Sequence, residues 1–206
     1  MANWLRIGPL TPELACFHEA GHIATAHVVG ARVHRVELHD HPRPHGRTKI
    51  KRNSYQAVFI TCGGFAAEHF LFSQNRLVTA SGTQISEAEF FHHALANAEK
   101  DLEAFAALTT EQPISELPHD FVKIAINNLT PELDFEIVQQ LAIILLDKKR
   151  LEKNDVRKIV GRQLGWLSSI AGEYRMQRMK GYEATELVVR TAKALFDRAI
   201  ERASIR

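Results

Sequence analysis

Thr11-Pro-Glu-Leu-Ala-Cys-Phe-His-Glu-Ala-Gly-His-Ile-Ala-Thr-Ala-His-Val-Val-Gly30 is the stretch on which the reading of this chain turns. Thr11 is a good N-cap, Pro12 suits the first helical position, and Gly30 suits the position just past a helix C-terminus. Leu14, Phe17, Ile23 and Val28 supply apolar positions for packing. The spacing predicts one helix, and it carries His18, Glu19 and His22.

Histidines four apart on a helix lie on one face, one above the other. Two imidazoles so placed can hold one Zn²⁺. Glu19, beside the first of them, can take the proton of an attacking water. The H-E-x-x-H pattern is short and also arises in helices whose histidines are merely structural. Its flanking alanine and glycine suit tight packing around a site. His27, off the same face, reads as structural.

Outward from this helix, Val33 to Leu38 alternates as a strand should, with suitable β-branched content. His41-Pro-Arg-Pro-His-Gly46 reads as a turn or loop, and Thr48 to Lys51 as a returning strand of a hairpin. A second helix is expected over Tyr55 to Phe72. Its Gly63-Gly64 pair costs roughly 1 kcal/mol per glycine relative to alanine. That cost points to close approach of another backbone, with Gly21 of the first helix the natural partner. A third helix is expected from about Thr83 to Leu108, with Ser81-x-x-Gln84 in the form of a capping box. A linker holding Pro113 and Pro118 leads to a short helix over Phe121 to Asn128. Thr130-Pro-Glu-Leu133 then opens a helix that ends near Lys148, and Asn154 caps another. Two amphipathic helices are expected in the tail, Trp166 to Met179 and Tyr182 to Ser204.

Composition sets the class. The 206 residues are 45% hydrophobic and 24% charged, ordinary for a globular chain, and the net charge is +2 with His neutral. That charge does not argue for a nucleic-acid partner. Residues 32–52 are locally basic, with seven Arg or Lys against Glu37 and Asp40. Cys16 and Cys62 do not have metal-type spacing and read as buried thiols. No apolar run reaches the roughly 18 residues of a membrane span, and the N-terminus does not read as a signal peptide. The expectation is a cytoplasmic protein without membrane insertion, with a domain over 1–160 and a helical appendage over 161–206. The fold class expected is α+β, mainly helical, with a small hairpin or sheet beside the H-E-x-x-H helix.

Phe17-His-Glu-Ala-Gly-His-Ile23 resembles the zinc helix of the FtsH-family peptidase domain, the membrane-bound ATP-dependent zinc proteases. Val33 to Leu38 resembles that family's following strand, and Gly63-Gly-Phe-Ala-Ala-Glu68 its next helix, which carries a similar G-x-x-A-E pattern. The resemblance runs on through Val78-Thr79, and Leu141 to Val156 is similar to the family's late helix and turn, so it spans roughly residues 12 to 160. Only the proteolytic part is resembled; no ATPase module and no transmembrane helix is read in the sequence. The resemblance implies a zinc metalloendopeptidase acting on a peptide or protein substrate, with His18 and His22 as ligands and Glu19 as general base. The family's third ligand is an Asp at the start of the third helix. Counting from Glu68 without gaps puts Gln84 there. Glu87, three residues on, is the substitute, and Glu68 a further candidate.

Two alternatives stand beside this reading, the first motivated by that departure. One is a degenerate protease fold acting as a binding module. The other is a di-iron carboxylate protein built on Glu19-x-x-His22 and Glu89-x-x-His92, with Glu68 and Glu136. Homo-oligomerisation stays open. A strand edge at Val33 to Leu38 is expected to hold an extended substrate by strand addition.

Overall fold

The computed structural model describes residues 11–39, 45–79, 81–109 and 117–160. Helix α1 (Pro12–Val28) starts as its sequence dictates. The Thr11 hydroxyl accepts the Leu14 amide at 3.2 Å. Gly30, beyond the helix end, turns the chain at φ 71°, a left-handed conformation that glycine adopts without the Cβ penalty. Every residue from Cys16 to Ala26 is buried. A helix buried all round sits inside the fold rather than on it. Helix α2 (Ser54–Ser73), helix α6 (Phe135–Lys148) and a small sheet surround it.

Helix α2 is started by a capping box: Asn53 accepts the Gln56 amide at 2.8 Å, and Gln56 accepts the Asn53 amide at 3.0 Å. Of the paired glycines, Gly63 makes the backbone contact that their cost implied. A Cβ on Gly21 would overlap the Gly63 carbonyl oxygen, and one on Gly63 would come within 2.8 Å of the Gly21 carbonyl oxygen. The two backbones therefore touch, which sets the α1–α2 spacing on which the site depends.

The sheet is antiparallel in the order β2-β1-β3, from β1 (Arg32–His39), β2 (His45–Lys51) and β3 (Arg150–Glu152). The hairpin is as expected, except that its return strand begins at His45, so His45 and Gly46 belong to the strand and not to the loop; β3 is an addition. Two expectations are corrected here. The alternation of Val33 to Leu38 is broken by a bulge between Val33 and Arg35, so that Val33, Val36 and Leu38 all face the core. Without it, Val33 and Val36, three apart, would fall on opposite faces. Nor is β1 an exposed edge. It is central, with Val36 opposite Thr48 on one side and Leu151 on the other. The outer strand next to α1 is β2.

Beyond α2 the expected long third helix is two helices, α3 (Glu87–Asn97) and α4 (Glu99–Leu108), broken at Ala98. The capping box is Ser86 with Glu89, not Ser81 with Gln84: the Ser86 amide reaches Glu89 Oε2 at 2.8 Å and the Glu89 amide reaches Ser86 Oγ at 3.3 Å. Helix α5 (Leu117–Lys123), which includes Pro118, runs into a π-helical turn over Ile124–Leu129. Fully buried Phe65 meets Phe90 and Phe121 at 5.6 and 5.8 Å between centroids, and Phe121 meets Phe105 at 5.6 Å. This cluster ties α2, α3, α4 and α5 together and fixes where α4 begins.

Thr130 does not cap α6. Its hydroxyl donates back to the Ala125 carbonyl at 3.0 Å, and Thr130–Glu132 is a short 3-10 turn. Buried Leu133 follows in extended backbone, and Asp134 is the cap, accepting the amides of Glu136 and Ile137 at 3.0 and 3.2 Å. Replacing Asp134 by Ala is expected to cost about 1 kcal/mol, read as a lower urea midpoint with unchanged slope; an unmoved midpoint would show the cap to be idle. Along α6, Val138, Leu141, Ala142 and Leu145 face the core at helical spacing. Lys149 then turns the chain at φ 59° into β3, and α7 (Lys153–Val160) follows. Cys16 and Cys62 are both buried. Among the described residues no helix is long and apolar enough to cross a membrane. The expected helices at Trp166 to Met179 and Tyr182 to Ser204, and the appendage they form, lie outside the described residues.

Candidate metal centre

Helical geometry stacks His18 and His22 on one face of α1, with ring centroids 4.8 Å apart and nearly perpendicular planes. Both are almost wholly buried. A buried imidazole needs a partner at each nitrogen, and the fold supplies them. His18 Nδ1 donates to Glu68 Oε1 of α2 at 2.7 Å, and His22 Nδ1 donates to the Ile60 carbonyl at 2.6 Å. Both Nε2 atoms turn to a single oxygen, Oδ2 of Asp101, at 2.9 Å from His18 and 3.2 Å from His22. One ligand atom from each of His18, His22 and Asp101 lies within 4.8 Å of the others, so the three form a group able to hold a metal ion.

The electrostatics agree with that geometry. Burial works against a charged His18, but the hydrogen bonds to Asp101 and Glu68 outweigh it and hold its pKa well above the ordinary value. His22 is raised in the same way, burial being outweighed chiefly by the charge of Asp101. Burial alone would raise the Asp101 pKa; the charge of His22 and the bonds from both rings reverse this and hold it far below the carboxylate range. The charged form of each ring is thus favoured by the one carboxylate that both rings face.

The donor set fits a metal. Two imidazoles and one carboxylate are a known catalytic-zinc complement, and the Nδ1 partners are of the kind that orient metal-binding histidines. Space has been cleared as well: a Cβ on Gly64 would collide with the His18 ring.

Glu19, next to His18 in the helix, meets the sheet while lining the same cavity. It is 6% exposed, and its carboxylate accepts a hydrogen bond from the Thr48 hydroxyl of β2. A Cβ on Gly46 would overlap its side chain, so β2 lies directly against it. A cavity of about 390 Å³ opens between α1, α2 and α4 and is lined by His18, Glu19, His22, Glu68 and Asp101. A smaller cleft of about 170 Å³ runs between β2 and α4, past Glu19, His22 and Asp101.

The sequence-derived residues divide here. His18, His22 and Glu19 meet at the site. Gln84 and Glu87 do not. Gln84 is exposed, its amide nitrogen donates to Asn75 Oδ1, and it bridges back to Val78 in the loop before α3. Glu87 is exposed in the first turn of α3. Glu68 holds His18 in place from Nδ1. The acidic member is Asp101, in the first turn of α4. Counting without gaps from Glu68 missed it because a loop and the whole of α3 intervene before the helix that reaches the histidines. A signal was available: Asp101 is the only aspartate between Asp40 and Asp120. Glu89 is occupied in its capping box, and exposed His92 lies against His93 at 5.3 Å, so a second Glu-x-x-His half-site does not join His22. No protein-family model and no curated protein matches this chain.

Proposed function

We propose that this chain is a zinc-dependent peptidase that hydrolyses peptide bonds with a metal-activated water, on an FtsH-type peptidase fold. The observation that carries the reading is the convergence of His18 Nε2, His22 Nε2 and Asp101 Oδ2 beside a buried carboxylate, Glu19, on a cavity wall. Asp101 supplies what the resemblance demanded, an aspartate at the start of a helix, with Glu68 and the Ile60 carbonyl as orienting partners.

His18, His22 and Asp101 would hold the zinc ion. When bound, zinc polarises a carbonyl and lowers the pKa of water to near 7. The chain's own residues have separable tasks. Glu68 and the Ile60 carbonyl hold each imidazole in the tautomer whose Nε2 lone pair is free for the ion. Glu19 accepts the proton of the attacking water on its carboxylate and can return it to the leaving amine. Thr48 keeps that carboxylate in one orientation. The outer side of β2, next to Glu19, offers backbone groups to an extended substrate, the role that the central position of β1 denies it.

The test is metal content by mass spectrometry on the full chain, purified without added metal or chelator. About one zinc per chain is expected, as for other catalytic sites, with loss in His22→Ala and in Asp101→Ala and unchanged content in Gln84→Ala. Chelation should abolish hydrolysis of a quenched fluorogenic peptide, and zinc should restore it. Absence of metal even after incubation with zinc would reject the reading in favour of a binding module. Two irons would revive the carboxylate-bundle reading.

A further inference from the structure

We propose that the cleft beside Glu19 takes its substrate as a strand added to β2 and selects acidic side chains at alternate substrate positions. The inference rests on the peptidase reading and names the substrate class for that site.

Strand β2 ends the sheet, and no described strand pairs with its outer side. Its side chains alternate. Gly46, Thr48 and Ile50 turn inward toward α1, while Arg47, Lys49 and Lys51 turn to solvent. The register brings more positive charge to the same face from β1, with Arg32 opposite Lys51 and Arg35 opposite Lys49. Glu37 stands opposite Arg47 but is already bound by Arg35 and Arg150, each at 3.3 Å. Lys49 and Lys51 form no ion pair with a described residue. Arg47, Lys49 and Lys51 thus stand exposed in a row along the outer face of β2.

This row and the candidate site are continuous. The cleft between β2 and α4 is lined by Arg47, Thr48 and Arg52 at one side and by Glu19, His22 and Asp101 at the other. A peptide lying along β2 would place alternate side chains on the outer face, beside Arg47, Lys49 and Lys51, and the remainder over Glu19. Cross-strand neighbours of opposite charge attract and of like charge repel. Lysines on an exposed strand edge also discourage pairing with arbitrary apolar strands, which makes addition conditional on a complementary partner.

The test uses two quenched fluorogenic peptides with one core sequence, carrying either Asp or Asn at three alternate positions. The full-length chain is compared with Lys49→Glu/Lys51→Glu, and with Lys49→Gln/Lys51→Gln in case charge reversal perturbs folding. The Asp peptide is expected to show kcat/KM about tenfold above the Asn peptide at low salt, since a few exposed pairs each contribute a small factor. That preference should shrink strongly at about 1 M salt, vanish in the Gln variant and invert in the Glu variant. Equal turnover of the two peptides by the native chain, or a preference that survives charge removal, overturns the inference while leaving the peptidase reading standing. If neither peptide is cleaved, the peptidase reading fails, and fluorescence anisotropy of the same labelled peptides decides the surface. Tighter binding of the Asp peptide that is lost in the Gln variant supports acidic selection, and equal binding overturns it. A single-stranded oligonucleotide that binds more tightly than the Asp peptide and displaces it would overturn it too, making the row a general polyanion surface.

Discussion

Glu19→Gln is expected to lower peptide hydrolysis by about a thousandfold while leaving zinc content and thermal stability near those of the native chain. General acid–base catalysis by one positioned side chain contributes roughly 10²- to 10⁴-fold. The amide keeps the shape and can still accept the Thr48 hydroxyl's hydrogen bond, but it cannot take a proton. The separation of readouts matters because Glu19 lies one residue from His18 in a buried helix, and a variant that lost metal would say nothing about proton transfer. Kinetics with a fluorogenic peptide and metal analysis of the same sample check it. Native-like activity in a zinc-loaded Glu19→Gln chain would remove Glu19 from the chemistry and with it the proposed mechanism.

Gly21→Val is expected to be among the most destabilising single changes in the molecule, at about 3 kcal/mol or more. In an exposed helix, replacing glycine by alanine gains roughly 1 kcal/mol from propensity alone. Here even the first added carbon would overlap the Gly63 carbonyl oxygen and crowd the Ala67 side chain at 2.7 Å. Neither is the far end of a flexible chain, so α1 and α2 must separate. Separation also draws His18 from Glu68 and His22 from the Ile60 carbonyl, both anchored on α2. Gly21→Ala should therefore lose stability where helix propensity predicts a gain, and zinc affinity should fall with it. Urea denaturation checks the sign; a stabilised Gly21→Ala chain would show that the contact relaxes cheaply.

Local chemistry made much of this protein readable in one dimension. Thr11, Pro12 and Gly30 bounded α1 because caps and turns act within a few residues. His18, Glu19 and His22 were recognisable because a helix brings residues four apart to one face whatever surrounds it. Gly63 and Gly64 announced a close approach because nothing local repays their cost; Gly21 proved to be the backbone partner of Gly63, while Gly64 makes room for the His18 ring. The start of α6 was misread although its signals were also local. Thr130 and Asp134 both suit a cap, but buried Leu133 lies between them in extended backbone, so only Asp134 adjoins the helix.

Tertiary structure alone decided the rest. Asp101 is 79 residues beyond His22 in sequence, and its side chain meets the histidines because the phenylalanine cluster and the break at Ala98 aim the start of α4 at α1. No periodicity carries that information, and counting from Glu68 fails once α3 is interposed. The central place of β1 likewise depends on β3, three residues that arrive after α6 and pair with Arg35 to Glu37 from more than a hundred positions away. The sequence by itself determined the helix, the two imidazoles and the carboxylate between them. The fold chose the third member of the group and the outer strand, since those choices rest on contacts between segments whose distance along the chain says nothing of their distance in space.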